Sequence, residues 1–220
     1  MSVTDNTTTI EILDTVDTIE VVDDLNETTP TTPENTTQLP PYLTFLYRVA
    51  RLHTTPYATT ELAGIRYALI PATETFGYGY TEPHISTLTT TNRVAVRRAA
   101  GIIATHKNAF TPNNDTTQPP RDLGTAFAAL HRKTMGYAPG DRDSNGTPKQ
   151  TAISMQVNGL PMMPFEAAVT TIALLIERCA DHNIKVSIPT LANTLMHWGD
   201  GISPDSVTTR RHIVERFYSA

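Results

Sequence analysis

From Pro40 onward, apolar residues recur at spacings of three and four, the period of one helix face. Tyr42, Phe45, Leu46, Val49 and Leu52 share such a face, and Pro41 suits a first helical turn. A second helix is predicted over about 58–69 (Leu62, Ile65, Leu69), ended by Pro71. Residues 71–90, with Gly77-Tyr78-Gly79-Tyr80 and Pro83, read as a loop. A third helix covers about 92–107, followed by a Pro-, Asn- and Thr-rich linker from Pro112 to Pro120. A fourth spans about 122–135 (Leu123, Phe127, Leu130), with Gly136 as a left-handed cap. The polar loop Gly140–Pro148 then divides the chain into two helical groups. Beyond it, Ile153, Gln156, Val157 and Leu160 mark a short helix. Phe165, Ala168, Val169, Ile172, Leu175, Ile176 and Cys179 give the cleanest stripe of the sequence, which Asn183 can stop. Pro189 opens a helix carrying Leu191, Leu195 and Trp198, and Gly199 ends it. Ser203-Pro204-Asp205 is a good start for the last helix. No alternating strand appears after residue 40, and no internal repeat. The pattern predicts an all-α, two-lobed helical bundle, with an N-terminal lobe at 40–140 and a C-terminal lobe at 149–220.

Residues 1–39 depart from this pattern. They are rich in Thr, Asp and Pro, bury too little to offset chain entropy, and are expected to form a disordered acidic tail. Ile10, Ile12, Ile19, Val21 and Val22 offer a short docking element within it; plain disorder is the preferred reading. The tail makes the net charge of −5 misleading. Residues 1–38 hold nine acids and no Lys or Arg, a charge of −9, whereas the rest holds all 17 bases against 13 acids, a charge of +4. A mildly basic body is compatible with a polyanion partner, and the acidic tail is expected to restrain it from premature nucleic-acid binding. One cysteine excludes an internal disulfide framework. No signal peptide and no run of about 18 apolar residues is seen, so a cytoplasmic protein without a membrane partner is expected. The three Asn-x-Thr triplets, at Asn6, Asn26 and Asn35, are read as chance.

Motifs that carry chemistry are missing. The seven histidines form no HxxxH or HExxH pair, and a single cysteine cannot build a zinc knuckle. Asp141-Arg142-Asp143-Ser144-Asn145-Gly146 resembles the start of a calcium loop, but Ala152 stands at its twelfth position, where a bidentate Glu is needed. Gly77 and Gly79 lack a third glycine in register, and neither a P-loop nor a nucleophile elbow occurs. Cys179 lies on an apolar stripe as a core thiol. No catalytic residue, metal site or cofactor is expected, and the protein reads as a binder rather than an enzyme.

The placement of the bases is more informative. Ala95, Ala99, Ile102, Ile103 and His106 share one face of the third helix, which sets Arg93 and Arg97 on the opposite, solvent face. Like charges four apart mildly destabilise a helix, so a phosphate partner would relieve a cost, although a solvated basic face is the preferred reading from the pattern alone. Arg98 flanks the apolar side and Lys107 ends the helix. Arg132 and Lys133 lie in a last helical turn, where the macrodipole alone accounts for them. Arg210 projects near the stripe Val207, Val214, Phe217, as expected for an ion pair or a snorkelling stem.

The order of several stretches resembles one family, the small subunit of the type I-E CRISPR surveillance complex Cascade, also called CasB. Leu62-Ala63-Gly64-Ile65-Arg66-Tyr67-Ala68-Leu69 is similar to its A-x-L-R-R-A-L stretch, with Tyr67 replacing the second Arg. Ala99–His106 resembles its A-A-L-F-A-L-H helix, and Leu123-Gly124-Thr125-Ala126 its S-L-G-x-A-L. Ile184–Trp198 followed by Arg210–Tyr218 resembles V-x-I-D-W-x-x-L-L-x-D-L-x-x-W and R-R-x-W-A-R-D-F-Y, with Pro189 in place of Asp and Ile213 in place of Trp. The family's K-R-F region would fall near Ser154-Met155-Gln156, where bases are missing. The likeness runs from about Tyr42 to Tyr218. It implies an all-α fold and two copies packed head to tail. It also implies as partners the repeated backbone subunit, the PAM-reading large subunit, guide RNA, and the target and displaced DNA strands. The implied role is to hold the open R-loop, with Arg66, Arg93, Arg97, Arg98, Lys107, Arg132 and Lys133 as candidate nucleic-acid contacts. The alternative is a free-standing helical adaptor or regulator that binds protein.

Overall fold

A computed structural model describes residues 39–110, 119–198 and 203–220. Apart from Leu39, the expected acidic tail lies outside these residues, as do most of the 112–120 linker and Gly199. The described chain is helical: α1 (Pro41–Leu52), α2 (Thr59–Arg66), α3 (Glu74–Ile85), α4 (Thr90–Thr105), α5 (Leu123–Met135), α6 (Ala152–Gly159), α7 (Phe165–Asp181), α8 (Ile188–Trp198) and α9 (Pro204–Ser219). Single 3-10 turns follow α2, α4 and α6, and two isolated bridges are the only β pairing among the described residues.

Local chemistry sets most of these boundaries. Side chains of Thr89, Asp122, Thr151 and Ser203 accept backbone N–H bonds at the starts of α4, α5, α6 and α9. Each satisfies a donor that the helix itself leaves unpaired. Gly136 ends α5 at φ 78°, and Asn183 turns the chain after α7 at φ 54°.

The region 71–90, expected as a loop, contains α3, and this corrects the sequence reading. Gly77 serves close packing rather than turning. A Cβ at Gly77 would come within 3.0 Å of Ala68 Cβ, and one at Gly64 on α2 would lie 2.1 Å from the Tyr80 ring. Inside the helix, Thr81 is buried and donates to Gly77 O at 3.1 Å, and Tyr78 donates to Glu74 at 2.8 Å. Tertiary contacts of α3 with α1, α2 and α4 thus override the poor helix propensity of two glycines and an interior Pro83.

Residues 38–220 form one compact unit. The loop 140–148 separates two helical groups in sequence, but helices of both groups meet in space: α4 packs on α8, and α5 on α9. Their buried side chains form one core from Leu43 to Phe217. No helix among the described residues is long and apolar enough to cross a membrane.

Candidate functional site

The seven candidate bases fall into two environments. Arg97 and Arg98 point inward, and this overturns the expectation that Arg97 lies on a solvent face. Arg97 has a side chain only 8% exposed; it pairs with Glu82 at 2.6 Å and stacks its guanidinium 4.5 Å from the Tyr78 ring centroid. Arg98 is 2% exposed. It pairs with Glu74 at 2.7 Å and Glu166 at 2.9 Å, and donates to Ala68 O at 2.7 Å. Arg93 donates its Nε–H to Leu88 O and lies 3.7 Å from Glu82. Burial opposes ionisation of Glu74, but the hydrogen bond from Tyr78 and the pairing with Arg98 outweigh it and hold its pKa below the ordinary value. These arginines tie α4 to α3 and α7.

The other four, Arg66, Lys107, Arg132 and Lys133, are exposed. Arg66 closes α2 and donates to Ala104 O at 2.9 Å, on the last turn of α4. Three residues further on, Lys107 begins the 3-10 turn Lys107–Ala109. Lys185 Nζ donates to Asn108 O at 2.8 Å on that turn, and Val186 N–H to Ala109 O at 2.8 Å. Arg121 runs parallel to this segment: its N–H donates to Lys185 O at 3.1 Å, and its carbonyl accepts from Ser187. Arg121, Lys185, Arg132 and Lys133 then converge on a groove of about 540 Å³ with no Asp or Glu among the described residues of its lining. Lys133 donates to His182 O at 2.7 Å, and Arg132 to the Ala220 carbonyl oxygen. The track therefore runs from the end of α2, past the end of α4, to the end of α5. Arg66, Lys133 and Lys185 are steered by backbone carbonyls, which orient their charge without neutralising it.

Arg121 and Lys185 escape a reading of the sequence because each is an isolated base outside any helix. Only the pairing of 121 with 185–187 brings them beside α5.

Among the described residues no three His, Cys, Asp or Glu side chains group as metal ligands. Burial pushes the Cys179 thiol up to about 12, so it is no thiolate at neutral pH. Asp143, in the loop resembling a calcium site, accepts the N–H groups of Asn145 and Thr147 and so closes its own turn. Arg210 lies 5.2 Å from the Trp198 ring centroid and donates to Trp198 O, a packed stem as expected.

Fold and track together define an all-helical protein with a basic surface groove. The family model for CRISPR-associated protein Cse2 matches residues 61–218, and the chain belongs to that family. The resemblance read from the order of motifs is borne out, although the match begins at α2 rather than at Tyr42. Among solved structures, a chain of a CRISPR RNA-guided surveillance complex is similar with a TM-score of 0.59 at 14% identity, over 81% of this chain and 92% of that one. A CRISPR-associated protein of the Cse2 family from Thermus thermophilus is similar with a TM-score of 0.57 at 15% identity, over 83% of this chain and 100% of that one. At these identities the structures establish a shared fold. No significant match is found among curated proteins.

Proposed function

We propose that this chain is a non-catalytic small subunit of a CRISPR RNA-guided surveillance (Cascade) complex, and that it holds nucleic-acid backbone along the basic track. The carrying observation is the groove at the end of α5, where four cations converge with no acid in the described lining. Membership of the Cse2 family and likeness to a chain of a surveillance complex support the assembly. Its partners there are the repeated backbone subunit, the PAM-reading large subunit, a second copy of itself, guide RNA, and the target and displaced strands.

The role needs no reactive group. Exchange of a DNA duplex for an RNA–DNA hybrid is nearly balanced, and protein contacts to the backbone tip it. Phosphate contacts supply affinity without sequence preference and make it fall with salt. Of the candidate contacts, this assigns Arg66, Lys107, Arg132 and Lys133 to backbone binding, joined by Arg121 and Lys185. Arg93, Arg97 and Arg98 are assigned to holding α4 in place.

The test is binding of full-length protein to single-stranded and duplex DNA over a range of salt. Lys133→Glu with Lys185→Glu should weaken binding to all sequences alike and reduce the salt slope by about 0.7–0.9 for each lost contact. The same variant, assembled with the other subunits and guide RNA, should shorten R-loop lifetime. An unchanged slope would remove the track from the site. A surveillance complex that keeps all target binding without this chain would sink the reading.

The adaptor reading has one observation in its favour. An apolar groove of about 360 Å³, lined by Leu69, Ile70, Val169 and Leu174 and rimmed by Glu166 and Glu177, has the chemistry of a protein-contact surface. Such a surface also serves a subunit inside an assembly, so this groove does not displace the first reading.

A further inference from the structure

We infer that Tyr57 is a base-stacking residue, which holds an unpaired nucleobase at the α2 end of the basic track. The inference rests on the nucleic-acid reading above and adds to it a contact with a base where the track supplies only contacts to phosphate.

Tyr57 is 98% exposed, the most exposed large apolar side chain among the described residues. Its ring makes no aromatic contact and no hydrogen bond to described residues. Phe76 and Tyr67, also exposed, differ in packing edge to face against each other with centroids 5.7 Å apart. The Tyr57 backbone has φ 64°, the left-handed region that an aromatic L-residue rarely adopts. Strain of this kind persists only where the surroundings impose it, and it gathers at functional sites.

The surroundings here are built. Thr54 N–H and Oγ1–H donate to Arg51 O at 3.0 and 2.9 Å, and Thr55 N–H donates to Leu52 O at 3.2 Å. Thr55 Oγ1–H reaches Arg51 O at 3.1 Å, and Ala58 N–H closes onto Thr55 O at 3.4 Å. A short, internally bonded loop between α1 and α2 therefore presents an aromatic to solvent.

The same loop is rooted in the track. His53, at its start, bonds Ile103 O at 2.8 Å, while Arg66 bonds the next carbonyl, Ala104 O, at 2.9 Å. The His53 pKa is lowered by burial; the bond to Ile103 opposes this, and the positive charges of Arg66 and Lys107 add to it. Those cations therefore stand close to the root of the loop. Four residues of chain place Tyr57 within about 13 Å of His53. An aromatic face beside a line of cations is the combination that binds single strands, with stacking for the base and charge for the backbone. A duplex offers no free base face to such a residue.

The experiment compares full-length protein and Tyr57→Ala for affinity to a single-stranded oligothymidine and to a duplex of equal length. Tyr57→Ala should lose about 5- to 150-fold on the single strand, the range that stacking of one base supplies. Duplex affinity and the salt slope should stay as they were. Tyr57→Phe and Tyr57→Trp should bind like the parent. Irradiated 5-iodouracil in the strand should cross-link to Tyr57 in the unaltered protein, a readout independent of how any variant folds. Equal single-strand affinity of Tyr57→Ala, or a cross-link mapped only elsewhere, overturns the inference. If Lys133→Glu with Lys185→Glu lowers the slope while Tyr57→Ala is silent, the inference falls and the track stands. If the unaltered protein binds no single strand, both fall. Loss of assembly with a protein subunit and unchanged DNA binding would reassign Tyr57 as a protein anchor and also overturn it.

Discussion

Arg98 lies between two carboxylates with almost no solvent, and its charge is tolerable only because Glu74, Glu166 and Ala68 O surround it. Removing one partner of a buried pair leaves the other charge uncompensated, at about 3–5 kcal/mol. Glu166 is 44% exposed and water will screen it, so Glu74 carries most of the penalty. Arg98→Met should therefore cost about 3 kcal/mol in denaturant unfolding. Arg98→Met combined with Glu74→Leu should recover part of that loss, because no stranded charge remains; a double variant no more stable than the single would refute this account. The same network predicts an acid limb. The pKa of Glu74 is depressed on folding, so its contribution is complete above the ordinary Glu value near 4.5 and is lost as pH falls below it. Tyr78→Phe removes one hydrogen bond that stabilises the carboxylate and should shift that loss to higher pH, visible in the pH dependence of thermal melting. None of this was legible in the sequence. The third helix reads as amphipathic with Arg93 and Arg97 outward, yet α4 is buried continuously from Ala95 to Ala104. Its run of Ala and Gly around Arg97 and Arg98 is the residue-level sign of a helix enclosed on all sides.

At the scale of elements, helices with a clean stripe were legible, and caps such as Ser203 and Gly136 fixed their ends. α3 was not, because Gly77 and Gly79 read as turn formers, whereas Gly77 serves close approach and Gly79 faces open space on the helix. The glycines can be ranked by what a methyl group would meet. At Gly101 on α4 a Cβ would lie 2.7 Å from the backbone nitrogen of Leu69, which cannot swing aside. Gly101→Ala should destabilise by about 1–3 kcal/mol as α4 is pushed from the 3-10 turn beside it. Gly79 on α3 meets nothing within 4 Å, so Gly79→Ala should instead stabilise by about 1 kcal/mol through helix propensity. Stabilisation by Gly79→Ala in thermal melting would support α3 as a helix in solution; destabilisation by it would contradict that. The track shows the same limit of sequence reading. Arg66, Lys107, Arg132 and Lys133 could be named as bases, but only the pairing of residues 121 and 185–187 brings Arg121 and Lys185 beside Arg132 and Lys133 in one groove.

For the whole molecule the deciding quantity is the separation of charge along the chain. The full chain carries −5, yet residues 39–220 carry +4 and residues 1–38 carry −9. A polyanion approaching from a distance responds to the sum, and one already on the track responds to nearby cations. The acidic segment should therefore slow association while leaving the docked contacts intact. Deleting residues 1–38 should raise the association rate with DNA on the order of tenfold at low ionic strength. The dissociation rate should change little. The advantage should vanish near 1 M salt, where the screening length falls to about 3 Å. Replacing the nine acids by Asn and Gln at full length should reproduce the deletion if charge, rather than chain volume, is the cause. A deletion that speeds association while the neutralised chain does not would assign the effect to excluded volume. Equal rates for the full and shortened chains at every salt would show that the acidic segment has no part in restraining nucleic-acid binding.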